Sequence, residues 1–369
     1  AEDVLVHQED DDRFFCEISA TKDDAWLALG IGSAITSEER LCPADDVDAG
    51  FTTVIARRQG IEYEVEHLDG TLYALTNDDA LDFRVLARSV EDVLGAGAGA
   101  GAEDFAGWDE IRPHRPGVRI EGFDVLRGRL LFEERTEAIT RVVVSDLATG
   151  DEFELERSEE VSTVGLAAND DLDHPQLRYS YTSMITPVTV IDLDLRTGER
   201  HVRKQQPVLG GYDPADYVTR RLWATADDGT RVPISLVHRA DRDGPGPTLL
   251  YGYGSYEISI DPGFSSARLS LLDRGWAFAI AHPRGGGEMG RGWYEDGKFA
   301  AKANTFDDFI ACGAHLIEVG VASPDGLAAR GGSAGGLLMG AALNRAPHLW
   351  SAVVAEVPFV DALNTILDP

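Results

Sequence analysis

Residues 328–340 read Ala-Ala-Arg-Gly-Gly-Ser-Ala-Gly-Gly-Leu-Leu-Met-Gly, and they leave the chain few ways to fold. Within them, Gly331-Gly332-Ser333-Ala334-Gly335 is a G-x-S-x-G sequence. Small, partly apolar residues precede it, as at the end of a buried strand, and a helix-forming run follows it. A serine placed between strand and helix must occupy a sharp turn with strained dihedrals if its hydroxyl is to project from the sheet. Glycine at 331 and 335 leaves room for that turn and for close strand–helix packing. The amide of Ala334, at the start of the helix, then points to where negative charge would develop on a reacting oxygen. The alternative is a glycine-rich loop with an ordinary serine, and the flanking strand and helix signals favour the nucleophile.

The chain has two rhythms. Residues 1–235 read as short strands, such as Phe14-Phe-Cys-Glu-Ile18, Leu72-Tyr-Ala-Leu75, Thr140-Arg-Val-Val-Val144 and Val188-Thr-Val-Ile-Asp192. Turn signals separate them at Asp69-Gly70, Thr149-Gly150 and Thr197-Gly198. Similar elements around Trp26, Tyr73, Leu131 and Tyr179 recur at intervals of roughly fifty residues, near the range for propeller blades. The expectation is a partial β-propeller of roughly four blades, with a β-sandwich as the alternative. The run Leu94-Gly-Ala-Gly-Ala-Gly-Ala-Gly-Ala102 interrupts the pattern and reads as a flexible insertion.

From residue 236 strands and helices alternate. Thr248-Leu-Leu-Tyr251 and Trp276-Ala-Phe-Ala-Ile-Ala281 predict strands, and residues 265–273 and 304–319 predict helices. Ser351-Ala-Val-Val-Ala-Glu-Val357 predicts another buried strand. Such alternation implies a mostly parallel sheet covered on both faces. Its ligands belong at the carboxyl ends of the strands, where Ser333 lies.

Three glycine-rich motifs in fixed order carry a resemblance. Tyr251-Gly-Tyr-Gly-Ser-Tyr256, Arg284-Gly-Gly-Gly-Glu288 and Gly331-Gly-Ser-Ala-Gly-Gly336 together resemble the prolyl oligopeptidase family of serine peptidases. Leu269-Ser-Leu-Leu-Asp-Arg-Gly275, Trp293-Tyr-Glu-Asp-Gly-Lys298, Asn304-Thr-Phe-Asp-Asp308 and Val357-Pro-Phe-Val-Asp361 look more like its oligopeptidase B branch. The resemblance spans nearly the whole chain but only about the middle half of a typical member. It implies a β-propeller over a truncated α/β-hydrolase domain, here 1–235 and 236–369. It also implies an endopeptidase acting on short, basic peptides, after Arg or Lys. Ser333 would be the nucleophile, with the Tyr253 phenol and the Ala334 amide as oxyanion donors. Asp261 matches a position that binds a basic residue upstream of the cut, and a solvated loop aspartate is the competing reading.

A serine needs a base, and the base an orienting carboxylate, in the order Ser, Asp or Glu, His for this fold. After Ser333 the chain offers only His348, Asp361 and Asp368. His348 follows the elbow helix, and no later histidine exists for Asp361 to orient. Family members carry both partners, and their acidic specificity residues, beyond the position of Pro369. The expectation is therefore an internal fragment, inactive alone. His238, His282 and His315 read as structural, with only His282, at a strand end, near enough to approach the site.

Gly285-Gly-Gly-Glu-Met-Gly290 matches a dinucleotide fingerprint, but no acidic ribose partner follows, so no cofactor is expected. Asp170-Asp-Leu-Asp-His174 lacks cation-site spacing, and no metal is expected. A net charge of −31 argues against nucleic acid and anionic membranes as partners and suits solubility or cationic substrates. No apolar run approaches the ~18 residues of a membrane span, and the acidic N-terminus is unlike a signal peptide. Three cysteines without bridge or metal spacing point to a reducing, cytoplasmic compartment. An esterase or acylaminoacyl peptidase of the same fold, or a peptide-binding fragment without catalysis, remain as alternatives.

Overall fold

A computed structural model describes residues 3–95, 102–361 and 363–364. The Gly-Ala run falls almost wholly outside these residues, as do Asp368 and Pro369.

The first half forms four four-stranded sheets, and the pairs of the first, second and fourth are antiparallel. The first contains β1 (Phe15–Ala20), β2 (Trp26–Gly32), β3 (Ser37–Pro43) and β4 (Thr52–Thr53). The second contains β5 (Tyr63–Leu68), β6 (Thr71–Thr76), β7 (Arg84–Ser89) and β8 (Asp109–Arg112), with a short helix α1 (Val90–Leu94) after β7. The third is β9 (Arg119–Leu126), β10 (Arg129–Thr136), β11 (Ile139–Asp146) and β12 (Glu152–Glu154). The fourth is β13 (Ser162–Leu166), β14 (Gln176–Ser183), β15 (Thr189–Asp194) and β16 (Arg200–Gln205). In each sheet neighbours in space are neighbours in sequence, which is how a propeller blade is wound. Trp26, Tyr73, Leu131 and Tyr179, the four repeating positions, all lie on the second strand of their sheets.

The chain then builds one six-stranded sheet from β17 (Tyr217–Thr225), β18 (Arg231–Arg239), β19 (Gly246–Tyr251), β20 (Ala277–Ala281), β21 (Ala322–Gly332) and β22 (Ala352–Glu356). Their order is β17-β18-β20-β19-β21-β22. The β17–β18 and β18–β20 pairs are antiparallel, and the other three are parallel. The helices are α2 (Ser266–Leu272), α3 (Arg291–Glu295), α4 (Ala303–Glu318) and α5 (Ala334–Arg345). The sheet thus starts at Tyr217, ahead of the change in rhythm at residue 236. A hairpin turning at Asp228-Gly229 has the same alternation as a blade, so sequence pattern does not separate the two.

Alternation along β20 places Ala277, Ala279 and Ala281 in one core with α4 and α5, and Phe278 and Ile280 in another with Leu272 of α2. The alanines keep the first face shallow. Phe309 of α4 fills the space above them, fully buried and stacked on Trp350 at 5.4 Å between ring centroids. Arg284, after β20, is held to α4 by the buried Asp308 through Nε and Nη2, at 2.9 and 2.6 Å. The chain divides into two compact units. One runs to Glu134 with Val143–Phe153 and Asn169–His174, and the other holds Arg135–Val142, Glu154–Ala168 and everything from Pro175.

Phe309→Ala removes a buried ring whose neighbours include both the sheet and the Gly252 backbone. We expect urea denaturation to show a loss of about 3–5 kcal/mol.

Candidate active site

Four strand ends meet at the carboxyl edge of the parallel sheet. β19 leads into Gly252-Tyr253-Gly254, β20 into His282-Pro283-Arg284, β21 into Ser333, and β22 into Val357-Pro358. β21 stops at Gly332 and α5 starts at Ala334, so Ser333 alone makes the turn. Its dihedrals, φ 55° and ψ −116°, belong to a region that disfavours any residue with a Cβ. Ser333 is exposed, whereas Ala334, Gly335 and Gly336 behind it are buried.

Neighbouring backbone holds that turn. The Ser333 N–H donates to the Glu356 carbonyl at 2.9 Å. The Ser333 carbonyl accepts from the amides of Gly336, Leu337 and Phe359 at 2.9, 3.2 and 3.1 Å. The chain paths touch where the motif has glycine. A Cβ on Gly331 would strike the Gly335 carbonyl, and one on Gly335 would lie 2.7 Å from the Gly252 oxygen. One on Gly336 would lie 2.5 Å from Pro358 Cα. The same Gly335 position is 3.5 Å from Tyr253 Cα and Cδ2, so the Tyr253 ring lies against the first turn of α5. Ala334, as the first residue of α5, has no acceptor for its N–H within the helix. The helix dipole adds partial positive charge at that end. Ser333, Ala334 and Tyr253 therefore lie at one corner.

The remaining candidates fall elsewhere. Asp261 forms a two-pronged ion pair with Arg135, at 2.6 and 3.2 Å. Arg135 is buried, and the Asp261 side chain keeps 34 % exposure. Asp261 also borders a cavity of about 370 Å³ with Tyr251, Ile260, Arg268 and Arg330. His282 is fully buried. Its Nε2 lies 2.8 Å from Ser235 Oγ, and its Nδ1 lies 3.4 Å from Glu288 Oε1. Burial pushes its pKa down, so the ring stays neutral and locks the β18–β20 pair. His348 is exposed beyond the far end of α5, and twelve helical residues separate that end from Ser333 by about 18 Å. Asp361 accepts from Asn364. Among the described residues none hydrogen-bonds the Ser333 hydroxyl.

The Gly285–Gly290 loop is packed by protein. A Cβ on Gly287 would lie 3.0 Å from Ser259 Oγ and 3.2 Å from Glu257 Cγ, and Gly285 meets the Gly254 carbonyl. Its glycines serve close packing of loops. In the Asp170–His174 segment, Asp173 pairs with Arg127 at 2.8 Å. Among the described residues no group of three or more His, Cys, Asp or Glu side chains is arranged to hold a metal. None of their helices is long and apolar enough to cross a membrane. All three cysteines are unbridged. Sequence reasoning overlooked the Arg284–Asp308 clamp. Its signal was present in the Asn304-Thr-Phe-Asp-Asp308 motif, which places an acid on the buried face of α4.

Comparison with known proteins bears on this corner. The prolyl oligopeptidase N-terminal beta-propeller domain matches residues 1–206, and the prolyl oligopeptidase family domain matches residues 262–369. The chain belongs to the prolyl oligopeptidase family of serine peptidases. It is 42 % identical over 375 residues to dipeptidyl aminopeptidase BI of Pseudoxanthomonas mexicana, covering 100 % of this chain and 50 % of that protein. It is 38 % identical over 369 residues to protease 2 of Moraxella lacunata, covering 99 % and 51 %. Oligopeptidase B from Trypanosoma brucei, solved in its closed form with covalently bound antipain, superposes with a TM-score of 0.89 at 39 % identity, covering 99 % of this chain and 52 % of that one. The chain therefore spans about half the length of the family members it matches.

The strain at Ser333 has a measurable consequence. Ser333→Gly relieves it and Ser333→Ala does not. We expect the glycine variant to be more stable than the alanine variant by about 1 kcal/mol in urea denaturation, with equal stability or the reverse order counting against a strained turn.

Proposed function

We propose that this chain carries the nucleophile and oxyanion hole of an oligopeptidase that cleaves short peptides through an acyl-enzyme. The observation that carries the reading is Ser333, exposed on a strained strand-to-helix turn next to the Ala334 amide, with the Tyr253 ring against the first turn of the helix that follows. Ser333 Oγ attacks the scissile carbonyl, and its proton passes to a base. The carbonyl oxygen becomes the oxyanion and receives hydrogen bonds from the Ala334 N–H and the Tyr253 O–H. Both donors are neutral and fixed before reaction, so they favour the charged intermediate over the neutral substrate. Collapse of the intermediate expels the amine, and water releases the acyl group by the same steps.

In this reading the base, its carboxylate and the residues that choose the side chain at the cut come from the half of the relatives' length that this chain does not span. A preference for Arg or Lys follows from the oligopeptidase B likeness and suits the acidic chain. Asp261 keeps one edge toward solvent while it holds Arg135, and we assign it the basic residue upstream of the cut. The protein acts in the cytoplasm. The relationship to a protein named dipeptidyl aminopeptidase supports a second reading, release of dipeptides rather than internal cleavage.

Three substrates separate the readings: an internally quenched peptide with a central Arg, a dipeptidyl amide and a short-chain ester. The protein that joins this chain to a downstream Asp and His should cleave the first, and Ser333→Ala should abolish this. Tyr253→Phe should lower kcat by roughly 10²–10³-fold with little change in KM. The 369-residue chain alone should turn over none of them. Rapid cleavage after Arg by the chain alone would refute an external base, and preference for the ester would refute a peptidase. Peptide binding without turnover in the joined protein would leave a binding module in place of the enzyme.

A further inference from the structure

Lys302 immediately precedes α4, one of only four lysines in the chain with Lys22, Lys204 and Lys298. Its ammonium does not pair with a carboxylate among the described residues. Instead Nζ donates to the Gly254 carbonyl at 2.5 Å and to Ser255 Oγ at 2.6 Å. These acceptors are the two residues that follow Tyr253. Burial alone acts on the charge and pushes its pKa down to about 8. A lysine in that setting gives up solvation, and the two hydrogen bonds are what it receives in exchange.

The segment that Lys302 holds has little freedom elsewhere. Gly254 has φ +66°, which a residue with a side chain rarely adopts. A Cβ there would lie 2.5 Å from Thr305 Cγ2 and 2.8 Å from Pro283 Cγ. Thr305 Oγ1, one turn along α4, donates to the Arg284 carbonyl at 2.6 Å and to the Gly297 carbonyl at 3.2 Å. Asp308, one turn further, grips the Arg284 guanidinium. The start of α4 thus fixes the loops after β19 and β20, and Lys302 supplies its hydrogen bonds to the Tyr253 loop.

Resting on the oxyanion role proposed for Tyr253, we propose that Lys302 is a positioning residue that holds the Tyr253 phenol beside Ser333 by tethering Gly254 and Ser255. It touches no substrate. Removing it releases the Gly254 carbonyl, widens the range of the Tyr253 backbone and leaves the elbow itself intact. Lysine suits this task because a compact ammonium on a flexible stem reaches two acceptors from one point, whereas a planar guanidinium fits them less well.

Hydrogen exchange in the chain as it stands reads the tether without turnover. Lys302→Met should raise amide exchange across residues 253–257 by about tenfold, while residues 331–337 stay as protected as in the parent. Lys302→Arg, which keeps the charge and the donors, should restore part of the protection, and Ser255→Ala should reproduce part of the loss. Unchanged exchange at 253–257, a uniform rise through the whole sheet unit, or an arginine variant as loose as the methionine variant would each overturn the tether. In the protein that turns over, Lys302→Met should lower kcat about 10–100-fold with KM nearly constant, and should add nothing to Tyr253→Phe. Additive losses there would overturn action through Tyr253. Loss of protection together with full activity in Tyr253→Phe would instead remove the oxyanion role and leave the tether standing.

Discussion

Everything at the active corner depends on backbone meeting backbone. The Gly252 carbonyl oxygen lies 2.7 Å from where a Cβ on Gly335 would be and 2.9 Å from one on Gly331, so the start of α5 lies directly on the end of β19. Interiors are packed to crystal density, so one added methyl at such a crossing forces displacement of a whole strand or helix. That close approach brings a residue of the β19 loop, Tyr253, alongside the helix that follows Ser333. The same contact explains the glycines shared by the motifs at 251–256 and 331–336, while those of 285–287 sit where neighbouring loops close on one another.

The layer beneath follows from side-chain size. The alanines of β20 make the face under α4 shallow, and the Phe309–Trp350 stack fills the gap between helix and sheet. This seats α4 close enough for Lys302, Thr305 and Asp308 to reach loop backbone directly. The result is a set of hydrogen bonds to the loops after β19 and β20, built on a regular element and able to hold geometry more tightly than loops alone.

Much of this was legible in the sequence, for physical reasons that differ by element. The elbow was readable because strain and close packing demand particular residues at fixed spacing. The blades were readable because Trp26, Tyr73, Leu131 and Tyr179 occupy equivalent places on successive second strands. α4 was readable from its apolar period, with predicted and observed limits one residue apart. The β17–β18 hairpin was not, since a period of two describes an antiparallel ribbon in any sheet. The side-chain clamps were also hidden. Nothing in the order of residues says that Lys302 lies on Gly254 or that Arg135 lies on Asp261, because those meetings are set by the tertiary path.

The strand order carries a consequence for how the chain is made. β17, β18 and β20 pair with strands that are near them in sequence, but β19 also needs β21. Between Tyr251 and Gly332 the ribosome must add 81 residues. At ~5–20 residues per second this takes about 4–16 s. For that interval one edge of an apolar central strand has no native mate, and the nascent polypeptide passes through a window in which wrong pairing competes with waiting.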